Sequence, residues 1–306
     1  MIEYGVHVLL VVLFPLLMLG VIGRVKALFA GRQGPRLLQP YFDVWKLLHK
    51  GAVYSTTTSW TFRAAPIVSL ATLLTAALLL PLASGSAPLA FSGDIIVFAY
   101  LLGLGRFVTM IAALDTGSSF EGMGASREAA FAALAEPALL LALAIVCVSA
   151  SAISFHEVYA ALPWGSWGVP HPEILVAVVV IFGVLLAETS RVPVDDPATH
   201  LELTMIHEVM VLDHSGPDLA LIHCGSALKL FLFAALLVHL LVPFPTDSLW
   251  LGALVLCTGA LSIAVLVGVV ESSMARLRLV QVPQFLVGAS VLAAIGLLVV
   301  IVRGAQ

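Results

Sequence analysis

Long apolar runs alternate with short polar segments from one end of the chain to the other. Eight runs can be marked, over residues 4–23, 64–82, 95–114, 129–153, 174–187, 219–242, 249–270 and 285–302. Most reach the ~20 residues that carry an α-helix across ~30 Å of hydrocarbon. The pattern therefore predicts an all-α polytopic membrane protein of about eight transmembrane helices, because only helices and closed barrels satisfy their backbone inside lipid. The fifth run departs from the rest. Its 174–187 stretch covers only about 21 Å at 1.5 Å per residue and runs straight into the acidic segment "ETSRVPVDDPATHLELTMIHEVM". Either the bilayer thins there, or the helix continues and carries Glu188 into the membrane zone.

Basic residues orient the runs. The connection after the first run holds Arg24, Lys26, Arg32, Arg36, Lys46, Lys50 and Arg63, and those after the third, fifth and seventh hold Arg127, Arg191, Arg276 and Arg278. On the opposite side stands Arg303 alone. This asymmetry predicts that the loops at about 24–63, 115–128, 188–218 and 271–284 face the cytoplasm, with both termini outside. In the first of them, "LLQPYFDVWKLLHK" places Leu37, Leu38, Tyr41, Trp45 and Leu48 at helical spacing opposite Asp43, Lys46 and Lys50. That is the signature of an amphipathic helix lying in the interface. No long linker, repeat or low-complexity stretch divides the chain, so residues 1–306 are expected to form a single integral membrane domain.

Composition agrees and excludes several chemistries. The 306 residues are 61% hydrophobic, with a mean hydropathy of +1.10, far too apolar for a water-soluble domain. A formal net charge of −4 gives no reason to expect nucleic acid. Cys147, Cys224 and Cys257 stand far apart, without a CxxC pair, so a disulfide framework, a zinc site and an iron–sulfur cluster are not expected. The first apolar run lacks the basic flank and small-residue cleavage site of a signal peptide and is expected to be retained.

Charges inside the runs carry the functional signal. Arg106 lies midway along the third, Glu136 well inside the fourth and Lys229 in the middle of the sixth. A charge at a helix centre costs about 2.5–3.5 kcal/mol on insertion scales, so each needs a partner, a wet cavity or a neutral state. A structural pair of Arg106 with Glu136 would account for two of them. The full set, with Glu188 added, exceeds what structure alone requires. His7 and His239, near span ends, are read as interfacial packing.

In the acidic segment, Asp196-Pro197 reads as a helix start, with the aspartate as cap and proline in the first turn. The helix is expected to reach about Leu212 and to stop at "HSGP". It would put His200, Thr204, His207 and Glu208 on one face and Glu202 on another. "HEVMV" begins as a zinc-protease helix does, but Val211 stands where a second histidine is needed. "GMG" precedes no phosphate-binding lysine, so a nucleotide loop is excluded as well.

Glu188, Thr189, Arg191, Pro193, Asp195, Pro197, Glu202 and Leu203 follow in order the pattern Glu-Thr-x-Arg-x-Pro-x-Asp-x-Pro with a later Glu-Leu. The stretch resembles the signature loop of the membrane subunit family shared by respiratory complex I, where it is the quinone-site heel subunit, and the membrane-bound nickel–iron hydrogenases. Residues 31–50 resemble that family's first cytoplasmic loop. "FEGMGASREAAFAALAEPALL" is similar to its third loop and fourth helix, with Glu136 at the family's intramembrane glutamate. The Arg32-Gln33-Gly34-Pro35-Arg36 segment is shorter than in complex I. "GMGASRE" and "DDPATHLELTMIHE" resemble the hydrogenase branch, as in formate hydrogenlyase and hydrogenase-4-type complexes.

The resemblance implies a membrane-anchoring, proton- or ion-coupling subunit of an inner-membrane oxidoreductase complex, with no redox centre of its own. Its nickel–iron centre and iron–sulfur clusters would belong to partner subunits. Those partners would be hydrogenase-like large and small subunits, iron–sulfur subunits and antiporter-like membrane subunits, with lipid around them. The resemblance further implies a proton or ion pathway of Glu136, Glu188, Glu202, Glu208, Asp195 and His207 with Arg106 and Lys229. Arg32, Gly34, Pro35, Arg36, Asp43, Lys46 and Arg191 would dock the soluble module. The alternative within the family is a quinone-binding subunit of a complex I-type NADH:quinone oxidoreductase. A stand-alone transporter is a further alternative, although neither an inverted repeat nor paired broken helices are legible in the sequence.

Overall fold

The structure is a computed structural model and describes residues 2–83, 87–161, 172–195, 205–242 and 248–304. Among these residues are ten α-helices: α1 (Ile2–Phe29), α2 (Gln39–Leu48), α3 (Trp60–Leu79), α4 (Asp94–Asp115), α5 (Ser119–Ala150), α6 (Phe155–Ala161), α7 (Glu173–Glu188), α8 (Gly216–Leu241), α9 (Leu249–Ser273) and α10 (Val282–Gly304). No described residue lies in a strand. Seven helices (α1, α3, α4, α5, α8, α9 and α10) are long and apolar enough to cross a bilayer. The short fifth run is α7, whose 16 residues measure about 24 Å. Its helix continues past the apolar run and ends at Glu188.

Helix α8 is the axis of the bundle, packed against α1, α3, α7 and α9, while α7 sits between α5, α8 and α10. Apolar side chains on every face of α8 make this possible. Each residue from Leu230 to Leu237 is at most 1% exposed. Polar residues fix several ends. The Ser59 hydroxyl accepts from the Thr61 amide at the start of α3, and Asp94 accepts from the Ser154 hydroxyl and the Phe155 amide, holding α6 against α4. Pro15, Pro66 and Pro137 lie inside helices, as membrane helices tolerate where neighbours enclose the freed carbonyls.

Helix α2 lies where the amphipathic pattern placed it, but it has three sides rather than two. Tyr41 turns inward and donates its hydroxyl to the Leu13 carbonyl of α1. Leu38, Phe42 and Trp45 face outward, and Asp43, Lys46 and Lys50 occupy the third side.

Two expectations are corrected. Helix α5 begins at Ser119, not at 129, and so absorbs "FEGMGASRE" into its first turns. The helix expected from Asp196 to Leu212 is not continuous. Residues 196–204 lie outside the described residues, 205–207 are not helical, and the next element is a single 3-10 turn, Glu208–Val211. "HSGP" does not stop a helix there; it starts α8, with Ser215 as N-cap and proline in the first turn. Proline favours a first turn as strongly as it ends a preceding helix, so the motif reads either way.

Gly216 shows why that start is glycine. Its φ is +56°, and a Cβ there would meet the Gly51 carbonyl oxygen at 2.7 Å and the Lys50 carbonyl oxygen at 2.9 Å. Gly216→Ala therefore combines left-handed strain with a backbone clash, which costs about 1–3 kcal/mol. Thermal unfolding of the detergent-solubilised protein should show a clearly lower midpoint for this variant. An unchanged midpoint would mean the first loop does not pack on α8 in this way.

Candidate functional site: a buried chain of charge

Helix geometry converges the intramembrane charges on one guanidinium. Arg106, buried on α4, donates through one Nη to Glu188 at the end of α7 and through the other to Glu136 of α5 at 2.5 Å. Its Nε lies 4.0 Å from Glu128 Oε1. The second oxygen of Glu188 meets Lys229 Nζ of α8 at 2.5 Å. Four helices thus share one knot of charge. Breaking a buried pair leaves an uncompensated ion and costs about 3–5 kcal/mol, so the knot also fixes how these helices pack.

From this knot the chain runs to the loops. His207 Nε2 lies 3.2 Å from Glu128 Oε2, and its Nδ1 lies 3.6 Å from Asp195 Oδ2. Asp195 also accepts the Ile206 and His207 amides at 3.2 Å and a guanidinium N–H of Arg276 at 2.9 Å. Among the described residues, four cations (Arg106, His207, Lys229, Arg276) therefore face four carboxylates (Glu128, Glu136, Glu188, Asp195). Burial alone would lower the pKa of His207, but the charges of Glu128 and Asp195 and their hydrogen bonds raise it to about 10. Burial raises Asp195, yet His207 and then Arg276 outweigh it and hold the carboxyl below its usual range.

A cleft of about 110 Å³ opens beside the knot, lined by Arg106, Glu128, Glu188, His207 and Lys229 together with Ser69 and Thr109. Charged and hydroxyl side chains stand on its otherwise largely apolar wall, and it is roomy enough for several waters. A smaller cavity, of about 40 Å³, joins Arg106, Glu136 and Glu188 to Tyr100 and Leu140 on the flank of the bundle. The Glu136 side chain is 51% exposed there, against 4% for that of Glu188. Beyond Lys229 the way along α8 is closed by the Leu230–Leu237 core. The chain of charge thus has a loop end and a lateral end, and a dry wall of about 15 Å between Lys229 and His239.

The site brings together Arg106, Glu136, Glu188, Asp195, His207 and Lys229 from the expected pathway. Glu202 lies outside the described residues. Glu208, at the head of the 3-10 turn, is half-buried and joins none of the ion pairs among the described residues. On the expected docking surface, Arg32, Pro35, Arg36, Asp43 and Lys46 are exposed and Gly34 is half-buried. Arg191 differs. It is turned inward onto Glu271 at 3.2 Å, which Lys26 also meets at 2.8 Å. The Glu271 side chain is fully enclosed and draws in both cations.

Sequence reasoning missed Glu128, Glu271 and the role of Arg276. Glu128 had a usable signal, for it stands eight residues before Glu136 and so lies near the same helix face. Placing it in a loop hid that spacing. Both outer histidines are buried. His7 lies 3.1 Å from the Ala77 carbonyl, and His239 stacks on Tyr159 with ring centroids 4.5 Å apart.

A membrane bundle with an ion-paired chain of buried charge running from its loops to its flank is the class that fold and site define. The chain matches the NADH dehydrogenase family over residues 2–302 and belongs to it. It is 34% identical to hydrogenase-4 component C of Escherichia coli strain K12, over 89% of this chain and 86% of that protein. It is 31% identical to formate hydrogenlyase subunit 4 of the same strain, over 89% of this chain and 93% of that one. An NADH-quinone oxidoreductase subunit of Paraburkholderia phymatum is 26% identical over 67% of this chain and 60% of its own length. Among solved structures, a chain of the membrane-bound sulfane sulfur reductase, an archaeal respiratory membrane complex, superposes with a TM-score of 0.84 at 20% identity, covering 98% of this chain and 100% of that one. That likeness shows the fold.

His207 gives the site a pH signature. Its pKa is raised above the unfolded value of 6.5, so its contribution to stability is fully present below pH 6.5 and is lost as pH rises through about 10. His207→Gln should therefore lower the unfolding midpoint most below pH 6.5, and the gap to wild type should narrow as pH approaches 10. A gap independent of pH would show that the imidazole is not cationic in the fold.

Proposed function

We propose that this chain is the membrane-anchoring and proton- or ion-coupling subunit of a hydrogenase-like complex of the formate hydrogenlyase and hydrogenase-4 kind. The single observation that carries the reading is the shape of the charge chain. It begins beneath the loops, at Asp195 and Arg276, ends at the half-exposed Glu136, and among the described residues does not continue across the membrane. A proton or cation loaded at the loop end would leave sideways, to a neighbouring membrane subunit of the antiporter-like class, rather than cross within this chain.

Balance makes the device responsive. With four cations facing four carboxylates among the described residues, one charge added or removed by a redox step in an adjoining soluble subunit is felt by every member, because interior charges are poorly screened. The carboxylates relay the proton, and Arg106 and Lys229 are fixed counter-charges. Redox centres, nickel–iron or iron–sulfur, would lie in the soluble partners, docked on the cytoplasmic loops. Arg32, Arg36 and Lys46 stand exposed for that contact, whereas Arg191 is engaged by Glu271. The relative among the NADH-quinone oxidoreductases supports a second reading, a quinone-binding heel, with the cleft by Lys229 as the place to look.

Gentle solubilisation separates the two: copurifying hydrogenase-like large and small subunits support the first, and copurifying quinone-reductase peripheral subunits support the second. In membrane vesicles, Glu188→Gln is compared with wild type per assembled complex, because losing this carboxylate also weakens the knot. The substitution should cut coupled proton or ion movement by roughly tenfold or more, equivalent to about 1.4 kcal/mol of barrier. Wild-type coupling in that variant would remove Glu188 from the path.

A further inference from the structure

Glu121 is a buried carboxyl that the charge chain does not use. It lies in the first turn of α5, 0% exposed. One oxygen accepts the Asp213 amide at 3.0 Å, and the other has no hydrogen-bond partner among the described residues. The Thr116 hydroxyl lies beside it, and the charge facing it is the like charge of Asp213. His214, stacked on Phe62 at 3.9 Å, is influenced by Asp218 and Asp213. Glu128, Glu188, Asp195 and Glu271 each meet a cation, whereas Glu121 enters none of the ion pairs among the described residues. An enclosed carboxyl without a counter-charge is far less costly to bury as the neutral acid than as the anion.

Its position gives that proton a destination. Glu121 and Glu128 are seven residues apart on α5, hence on one face and about 10.5 Å apart along the axis. Ala125 lies between them, and Met210 of the 3-10 turn packs with Ala125 and Ala113 in a small apolar cluster. Met210 also lines the cleft that contains Glu128 and His207. Gly124 lets the turn seat this closely, since a Cβ there would collide with Val209 and Met210. This apolar contact lies beside the stretch of α5 between the two carboxyls, and the turn that supplies it belongs to the same connection as Asp195 and His207.

We infer that Glu121 is the proton-loading carboxyl of the buried chain, on the loop side of an apolar gate formed by Ala125, Val209 and Met210. When the turn shifts and water enters, the Glu121 O–H bond breaks, a bond to the Glu128 carboxylate forms, and solvent reprotonates Glu121. The inference rests on the coupling role proposed above and adds the group that supplies it.

Infrared difference spectroscopy on the purified complex tests the proton directly. The wild type should show the carbonyl stretch of a neutral carboxylic acid that Glu121→Gln removes. In vesicles, Glu121→Gln should slow coupled proton movement several-fold, and Glu121→Asp should restore part of it with a displaced pH profile, a shift that mere packing would not produce. A carbonyl band unchanged by Glu121→Gln would overturn the inference, as would its loss with unaltered coupling and pH profile. Glu188→Gln, run in parallel, reports on the coupling role independently of the Glu121 band.

Discussion

A guanidinium enclosed by apolar helices must be matched by carboxylates, and each of those carboxylates must be matched in turn. This requirement, met at Arg106, organises the rest of the molecule. Glu136 and Glu188 come to it from α5 and α7, Lys229 completes Glu188 from α8, and Glu128 hands the balance to His207 and Asp195. Helix α7 can be short because its end is bound into this knot rather than placed in headgroups. Arg276 then ties the α9–α10 connection to the loop after α7, as Lys26 and Arg191 do at Glu271.

Balance and direction together define what the subunit can do. The dry length of α8 beyond Lys229 has no polar group to receive a proton, so conduction straight through this chain would need the core to open. Glu136 is different: half-exposed on a flank where Tyr100 and Leu140 also face outward. A carboxylate bared to lipid is costly, and a membrane partner covering that flank removes the cost. This geometry supports the proposed coupling between subunits over transport within one.

Much of the architecture was legible because the hydrophobic pattern is long and simple. All eight apolar runs became helices, and Arg106, Glu136, Glu188 and Lys229 drew notice because lipid makes charge expensive. The residues that escaped notice lie where the pattern weakens. "FEGMGASRE" carries two glycines, a serine and three charges, which reads as a loop, yet packing against Val209 and Met210 holds it as helix and buries Glu121 and Glu128. The segment ending at Leu212 offered helical spacing, but in its described part, from residue 205, Asp195 takes the Ile206 and His207 amides and a 3-10 turn follows. Glu271 and Arg276 looked like ordinary loop-edge charges. Partners some eighty positions away in sequence cannot be read from local spacing.

The most direct test of charge balance is a stability cycle on Lys229 and Glu188 in the detergent-solubilised protein. Lys229→Met alone should destabilise by about 3–5 kcal/mol, because it weakens the compensation of a buried carboxylate, and adding Glu188→Gln should recover a large part of that loss. If the double variant instead loses the sum of the two single effects, these charges are not coupled and the buried chain does not hold the bundle together.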